Sequence, residues 1–257
     1  CGTSCEMEEI FYLSKKFNFS IIEDASHAIG GRYNDKPIGC CKFSDITIFS
    51  FHPVKIITTG EGGIATTNNE FLARKMINYR SHGIVKDQKE LNTKTEHGSW
   101  YYEQKELGFN YRLTDIQAAL GISQLSRLEK IVAKRHKIKN NYTKLLSNLP
   151  VDILKTNKKT FSSLHLIVIR LRNKCPIFHK LVFEDLRANS IGVQVHYLPV
   201  HLHPYYREQG FKEGDFPNAE LYSKNAISLP IFPELTLKEQ QKIVNALNNA
   251  LLNANES

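Results

Sequence analysis

Apolar positions along this chain change rhythm several times, and each change predicts an element. Residues 6–17, EMEEIFYLSKKF, set Met7, Ile10, Phe11, Leu13 and Phe17 near helical spacing. Acids lie early and lysines late in that segment, as a helix dipole favours. The run FNFSIIED follows and closes on two acids. A helix followed by a short buried strand predicts a βα-type sheet with crossover helices. SDITIFSF at 44–51 and GIATT at 63–67 read as further strands, and NEFLARKMINYR at 69–80 as a helix opened by an Asn cap. Residues 81–112 are polar, hold the only Trp (Trp100), and keep no period. They are expected to form a loop, which at that length is functional or interfacial.

A helical stripe resumes at Leu113-Thr114-Asp115. It runs through Ile116, Ala119, Leu120, Ile122, Leu125, Leu128 and Ile131, predicting one long bridging helix over 113–148. Pro150 marks a boundary. The expected organisation is therefore a domain over 1–148 and a smaller α+β domain over 149–257. In the latter, LHLIVIRLR alternates as a strand and residues 177–190 form an amphipathic helix. VQVHYLP reads as another strand. A terminal helix over 236–253 opens on a capping box, Thr236 with Glu239.

Composition changes this picture only at the edges. The 257 residues suffice for one large domain or two modest ones. No stretch approaches the roughly 18 uncharged apolar residues of a membrane span. The N-terminal CGTSCEMEEI is acidic without an apolar signal core, so a cytoplasmic protein is expected. The first methionine is Met7, which predicts a fragment or a processed chain. Cys1, Cys5, Cys40, Cys41 and Cys175 are odd in number and include an adjacent pair, which suits reduced thiols better than a disulfide framework. No His/Cys spacing matches a zinc site, and no metal is expected. The net charge of +8 gathers in 127–160. Without an aromatic-interleaved RNA motif or a recognition helix, it reads as a solvated helix face rather than a nucleic-acid footprint. A basic surface would also suit an anionic small substrate.

Candidate chemistry concentrates in IIEDASHA (21–28), FSFHPVK (49–55) and GEGG (60–63). Ligands of open α/β sheets sit at the carboxyl ends of strands, where Asp24, Ser50 and then Lys55 fall in this reading. Such an acid and lysine can form a salt bridge. They can also serve pyridoxal 5'-phosphate (PLP), whose aldehyde takes a lysine amine and whose ring nitrogen takes a carboxylate. Asp24 would equally cap a helix opening at ASHA, Ser50 could be an ordinary strand-end hydroxyl, and Asn110 a turn residue.

Three segments, IIEDASHAIGGRYNDKPIG, SFHPVKIITTGEGGIATT and GFNYRLTDIQAALGISQLSRLE, closely resemble the DegT/DnrJ/EryC1/StrS family of PLP-dependent nucleotide-sugar aminotransferases. VQVHYLPVHLHPYYRE and LPIFPELT extend the likeness over essentially the whole chain. The SFHPVK and VHYLPVHLHPYY forms look most like the branch that aminates UDP-linked 4-keto-6-deoxy sugars in pseudaminic acid biosynthesis. The resemblance implies an α/β architecture of PLP-transferase fold type I, here the C-terminal part of a large domain plus a small α+β domain. It implies that Lys55 is the Schiff-base lysine, that Asp24 pairs with the pyridine nitrogen, and that His27 lies beside the ring. Ser50 then binds the cofactor phosphate, and Asn110 reaches the phosphate of the neighbouring subunit in a homodimer. His196, Tyr197, His201 and His203 fall where this branch lines the sugar-nucleotide site. The substrates implied are a UDP-sugar and an amino-acid donor, expected to be glutamate. Family members also carry well over a hundred preceding residues, including a Gly-Ser/Thr turn that holds the phosphate, so a fragment unable to hold the cofactor alone is the second expectation. A sugar dehydratase is disfavoured, because the dehydratase branches replace the lysine by His.

Overall fold

The computed structural model describes residues 1–87, 89–92, 98–156, 158–173 and 175–256. The chain divides into two compact units, Ser4–Leu128 and the remainder from Glu129 together with Cys1–Thr3. That division falls inside the segment expected to be one bridging helix, well before Pro150.

The first unit runs α1 (Met7–Phe17), β1 (Ile22–Asp24), a small hairpin β2 (Arg32–Tyr33) and β3 (Lys36–Pro37), then β4 (Ile46–Ser50), β5 (Gly63–Thr66) and α2 (Glu70–Arg80). After these come the short strands β6 (Ile84–Val85) and β7 (Glu103–Gln104), and α3 (Asp115–Leu125). The sheet that matters is three-stranded, in the order β1-β4-β5. β1 lies parallel to β4, with Asp24 opposite Ile48, and β5 lies antiparallel to β4, with Gly63 opposite Ser50. The parallel pair was expected to be joined by a crossover helix. The connection instead carries the β2–β3 hairpin, turned by Asn34 and Asp35 in left-handed backbone that these residue types tolerate.

Side chains alternate across the sheet. Glu23, Thr47 and Phe49 share one face, and Thr47 and Phe49 are buried. Ile22, Asp24, Ile48 and Ser50 share the other. That face is open, with Ile22 65% exposed. α1 buries Met7 against Ile21 and Tyr33, while Leu13 and Phe17 of its expected apolar stripe are exposed. The expected loop 81–112 is in part structured: β6 and β7 pair antiparallel, and Ser81 bridges Asn110. Residues 88 and 93–97 of that segment lie outside the described residues, as does residue 157 of the basic stretch.

The single helix expected over 113–148 is two helices, α3 and α4 (Leu128–Leu145). At the junction the Ser126 hydroxyl bonds the Ser123 carbonyl and the Arg127 amide turns back to Gln124, so local bonds replace the regular helical ones. The stripe used to predict the helix does not mark a core within the unit: Ile116 is 85% and Ile122 71% exposed.

The second unit continues with β8 (Val151–Ile153), β9 (Thr160–Phe161), β10 (Ile167–Leu171) and α5 (Pro176–Ala188). A 3-10 turn follows at Val200–Leu202, then α6 (Pro204–Arg207), α7 (Pro217–Ser223), β11 (Ala226–Leu229) and α8 (Leu237–Glu256). An antiparallel sheet β11-β10-β8 packs with α4, α5 and α8 around Tyr142, Ile169, Leu186, Ile227 and Leu247, all fully buried. Tyr142 donates its hydroxyl to the Pro230 carbonyl, and burial pushes its phenol up. The basic helix α4 is not solvated throughout. Arg135 is buried and donates to the carbonyls of Leu164, His165 and Ile231, and desolvation brings its guanidinium down to about 10. VQVHYLP is not a strand beyond one bridge, Gln194 to Ser228. Past it, His196 Nδ1 and the Ser228 hydroxyl share a hydrogen bond at 2.7 Å, and a side-chain bond stands where a ladder bond would have continued. Ile191 and Val193 are buried, so the alternation that suggested a strand records burial instead.

Among the described residues no helix is long and apolar enough to cross a membrane. No group of three or more His, Cys, Asp or Glu side chains is placed there to hold a metal ion. All five cysteines are free thiols.

Candidate active site

Lys55 sits where it does because HPVK is a tight turn. The Lys55 amide donates to the His52 carbonyl at 2.9 Å, with Pro53 in the second position, whose fixed φ suits that place. His52 Nδ1 accepts the Val54 amide at 3.3 Å. Directly after Lys55, Ile56 and Ile57 are buried and anchor the chain. The lysine is half-buried, and desolvation holds its amine below the ordinary lysine range against the opposing pull of Asp24. Neutral amine is the nucleophilic form, so this is the direction that helps attack on a carbonyl.

Asp24 ends β1. Its Oδ1 accepts the Ser26 hydroxyl at 2.6 Å and the Ser26 amide at 3.0 Å. No helix opens at ASHA, so Asp24 closes a turn rather than capping a helix. The Ser26 bonds hold its carboxyl below the usual range, with smaller contributions from His27 and Lys55. Ser50 ends β4 on the face that Asp24 shares, and its hydroxyl accepts the His52 amide at 3.4 Å. One sheet edge thus gathers an ionised carboxylate, a half-buried amine, a hydroxyl and the half-buried His27. This donor set fits PLP: an amine for the aldehyde, a carboxylate for the ring nitrogen, and a hydroxyl for the phosphate. Asn110 is exposed and bridges Ser81 at the end of α2.

The Lys55 loop is closed on itself. Phe51 donates to the Gly62 carbonyl at 2.8 Å and its own carbonyl accepts the Thr59 amide and the Thr58 hydroxyl, at 3.0 and 2.9 Å. The Thr59 hydroxyl donates to the Glu61 carbonyl at 2.6 Å. α3 and Leu113, the residue before its Thr114 cap, seat this loop with positions spaced four apart. A Cβ on Gly62, whose φ is +144°, would fall 2.8 Å from Leu113 Cδ1. Gln117 Nε2 donates to the Glu61 carbonyl at 3.0 Å. A Cβ on Gly121 would stand 2.9 Å from Thr59 Cγ2, so only glycine allows that approach. Thr58, Thr59, Gln117 and Gly121 had not been singled out in the sequence. The pattern Thr114-x-x-Gln117 was the available cue, since it is a capping box.

The C-terminal residues lie in the second unit. His196 is half-buried on Ser228, and Tyr197 and His203 are exposed. His201 is buried, with its Nε2 on Glu220 Oε1 at 2.9 Å. Glu220 also accepts the amides of Gly214 and Phe216, and its His201 partner holds its carboxyl low. His201 therefore ties two turns together.

The model of the DegT/DnrJ/EryC1/StrS aminotransferase family matches residues 1–248. The chain is 40% identical over 251 residues to the UDP-4-amino-4,6-dideoxy-N-acetyl-beta-L-altrosamine transaminase of Campylobacter jejuni, covering 97% of this chain and 63% of that one. Helicobacter pylori PseC, an aminotransferase involved in the biosynthesis of pseudoaminic acid, superposes with a TM-score of 0.88 at 34% identity, covering 98% of this chain and 65% of that one. A Streptococcus pneumoniae chain solved in its PLP form superposes at 0.87 with 27% identity, covering 98% and 67%. The chain spans 63% to 65% of the length of the curated relatives it matches. A family match over nearly the whole chain, on a PLP-transferase fold of type I, settles the affiliation: the chain belongs to the DegT/DnrJ/EryC1/StrS aminotransferase family.

Proposed function

We propose that the protein is a PLP-dependent aminotransferase that converts a UDP-linked 4-keto-6-deoxy-N-acetylhexosamine to its 4-amino sugar, with glutamate as donor. The observation that carries this reading is the half-buried Lys55 amine, depressed by desolvation, at the sheet edge that also holds Asp24. The named activity of the Campylobacter jejuni relative supports the substrate class. When bound, the cofactor supplies an electron sink that stabilises negative charge at the carbon losing its proton.

The chain's own residues supply the rest. Lys55 would hold the cofactor through its amine, and the same amine would take and return a proton at the reacting carbon. Asp24, kept ionised by Ser26, would keep a proton on the ring nitrogen. Ser50 would bind the phosphate, and His27 would serve beside the ring. Exposed Asn110 is suited to a phosphate on a neighbouring subunit, which makes a homodimer with shared sites part of the proposal. Tyr197, His196 and His203 belong to the nucleotide-sugar end in this reading.

The test uses the protein at its natural length. Wild type should show the visible absorbance of lysine-bound cofactor and turn over the keto sugar with glutamate; Lys55→Ala should lose both. An Ala variant that keeps the band and the turnover overturns the assignment.

A further inference from the structure

We propose that Gln117 is a positioning residue for Lys55, acting through the 51–62 loop. This rests on the reading of Lys55 as the cofactor anchor. Gln117 occupies the third position of α3, where a capping box takes either Glu or Gln. Its amide oxygen does the capping work, accepting the Thr114 amide and the Thr114 hydroxyl, each at 3.0 Å. The helix dipole would favour a carboxylate here. A second capping box among the described residues uses one: at α8, Glu239 Oε2 accepts the Thr236 amide at 2.8 Å and its hydroxyl at 2.7 Å.

What glutamine adds is a donor. With its oxygen committed to Thr114, its Nε2 reaches the Glu61 carbonyl at 3.0 Å, a bond no carboxylate can make. Glu61 is the point at which the loop is pinned, because its carbonyl also takes the Thr59 hydroxyl. Thr59 in turn closes on Phe51, and Phe51 on Gly62. The HPVK turn that presents Lys55 hangs between these closures. Leu113 against Gly62 and Gly121 against Thr59 set the distance of the helix from the loop. Gln117 sets the register between them.

Because one amide does two jobs, substitutions separate them. Gln117→Glu keeps the cap and removes the donor, Thr114→Ala removes the cap and keeps the donor, and Gln117→Ala removes both. The protein at natural length is followed by backbone hydrogen exchange, thermal melting, and kcat against KM. Gln117→Glu should melt at or above the wild-type temperature. It should exchange the Lys55 and Thr59 amides about three- to tenfold faster and lose kcat by a similar factor with KM unchanged, as expected for one lost hydrogen bond. Thr114→Ala should melt lower with exchange and kcat at wild-type values, and Gln117→Ala should show both defects. Wild-type exchange in Gln117→Glu, or a kcat loss in Thr114→Ala equal to that of Gln117→Glu, overturns the proposal. Lys55→Ala runs in parallel. If it keeps the cofactor absorbance, the anchor reading falls and this proposal with it. If it loses that absorbance while Gln117→Glu behaves as wild type, only the positioning role falls.

Discussion

At the scale of single residues, two adjacent acids on β1 face opposite ways and carry opposite consequences. Asp24 stands on the open face with a carboxyl depressed by Ser26. Its contribution to stability is present above the unfolded aspartate value and is lost as pH falls through the folded one. Asp24→Asn keeps an oxygen for the Ser26 amide and removes the charge. Folding should survive, and turnover should fall by about a hundredfold, in line with losing one preorganised electrostatic partner; steady-state kinetics beside a melting curve checks both. Glu23 stands on the buried face and is raised by desolvation despite accepting the Thr47 hydroxyl at 3.0 Å. Here the folded state binds its proton more tightly, so stability falls as pH rises through the folded value. Glu23→Gln should therefore raise the melting temperature at pH 7, and the gain should vanish as pH drops to the ordinary glutamate value of about 4.3. That both acids close a strand is legible in FNFSIIED. Which one faces the site is not, because the face depends on pairing with β4, and pairing is a property of two segments.

At the scale of elements, chemistry at the ends was more readable than packing along the sides. The Asn69 cap of α2, whose side chain accepts the Phe71 and Leu72 amides, and the Thr236–Glu239 box of α8 are local bonds that spacing alone announces. Thr236→Ala should cost about 1 kcal/mol, measurable by urea titration. The face of α3 was the opposite case. Periodicity pointed to Ile116, Leu120 and Ile122 as the packed stripe, whereas the contacts to the 51–62 loop come from Gln117 and Gly121, with Leu113 just before the helix. A glycine and a glutamine carry no hydrophobic mark, and they pack because their partners are the Thr59 methyl and the Glu61 carbonyl of one loop, not an apolar core. VQVHYLP misled for a related reason: its alternation reports buried Val193, while a ladder needs a neighbour along its whole length.

At the scale of the whole molecule, the two units rest on different kinds of support. The C-terminal unit has one large core that includes Leu247 with no exposed surface. Leu247→Ala should remove about 3 kcal/mol from the unfolding free energy, seen as a lower urea midpoint with the slope unchanged. Among the described residues, the unit that bears Lys55 has two small clusters, and its active loop is tied to a helix end by the Gln117–Glu61 hydrogen bond. Damage there need not register as lost stability. Hydrolysis of a single side-chain amide, the slow ageing reaction that turns glutamine into glutamate, would convert Gln117 into the residue that caps α3 equally well and cannot hold Glu61. A stored preparation would then lose activity with no drop in its melting temperature, and a mass gain of about one dalton on the peptide containing Gln117 would be the mark of it.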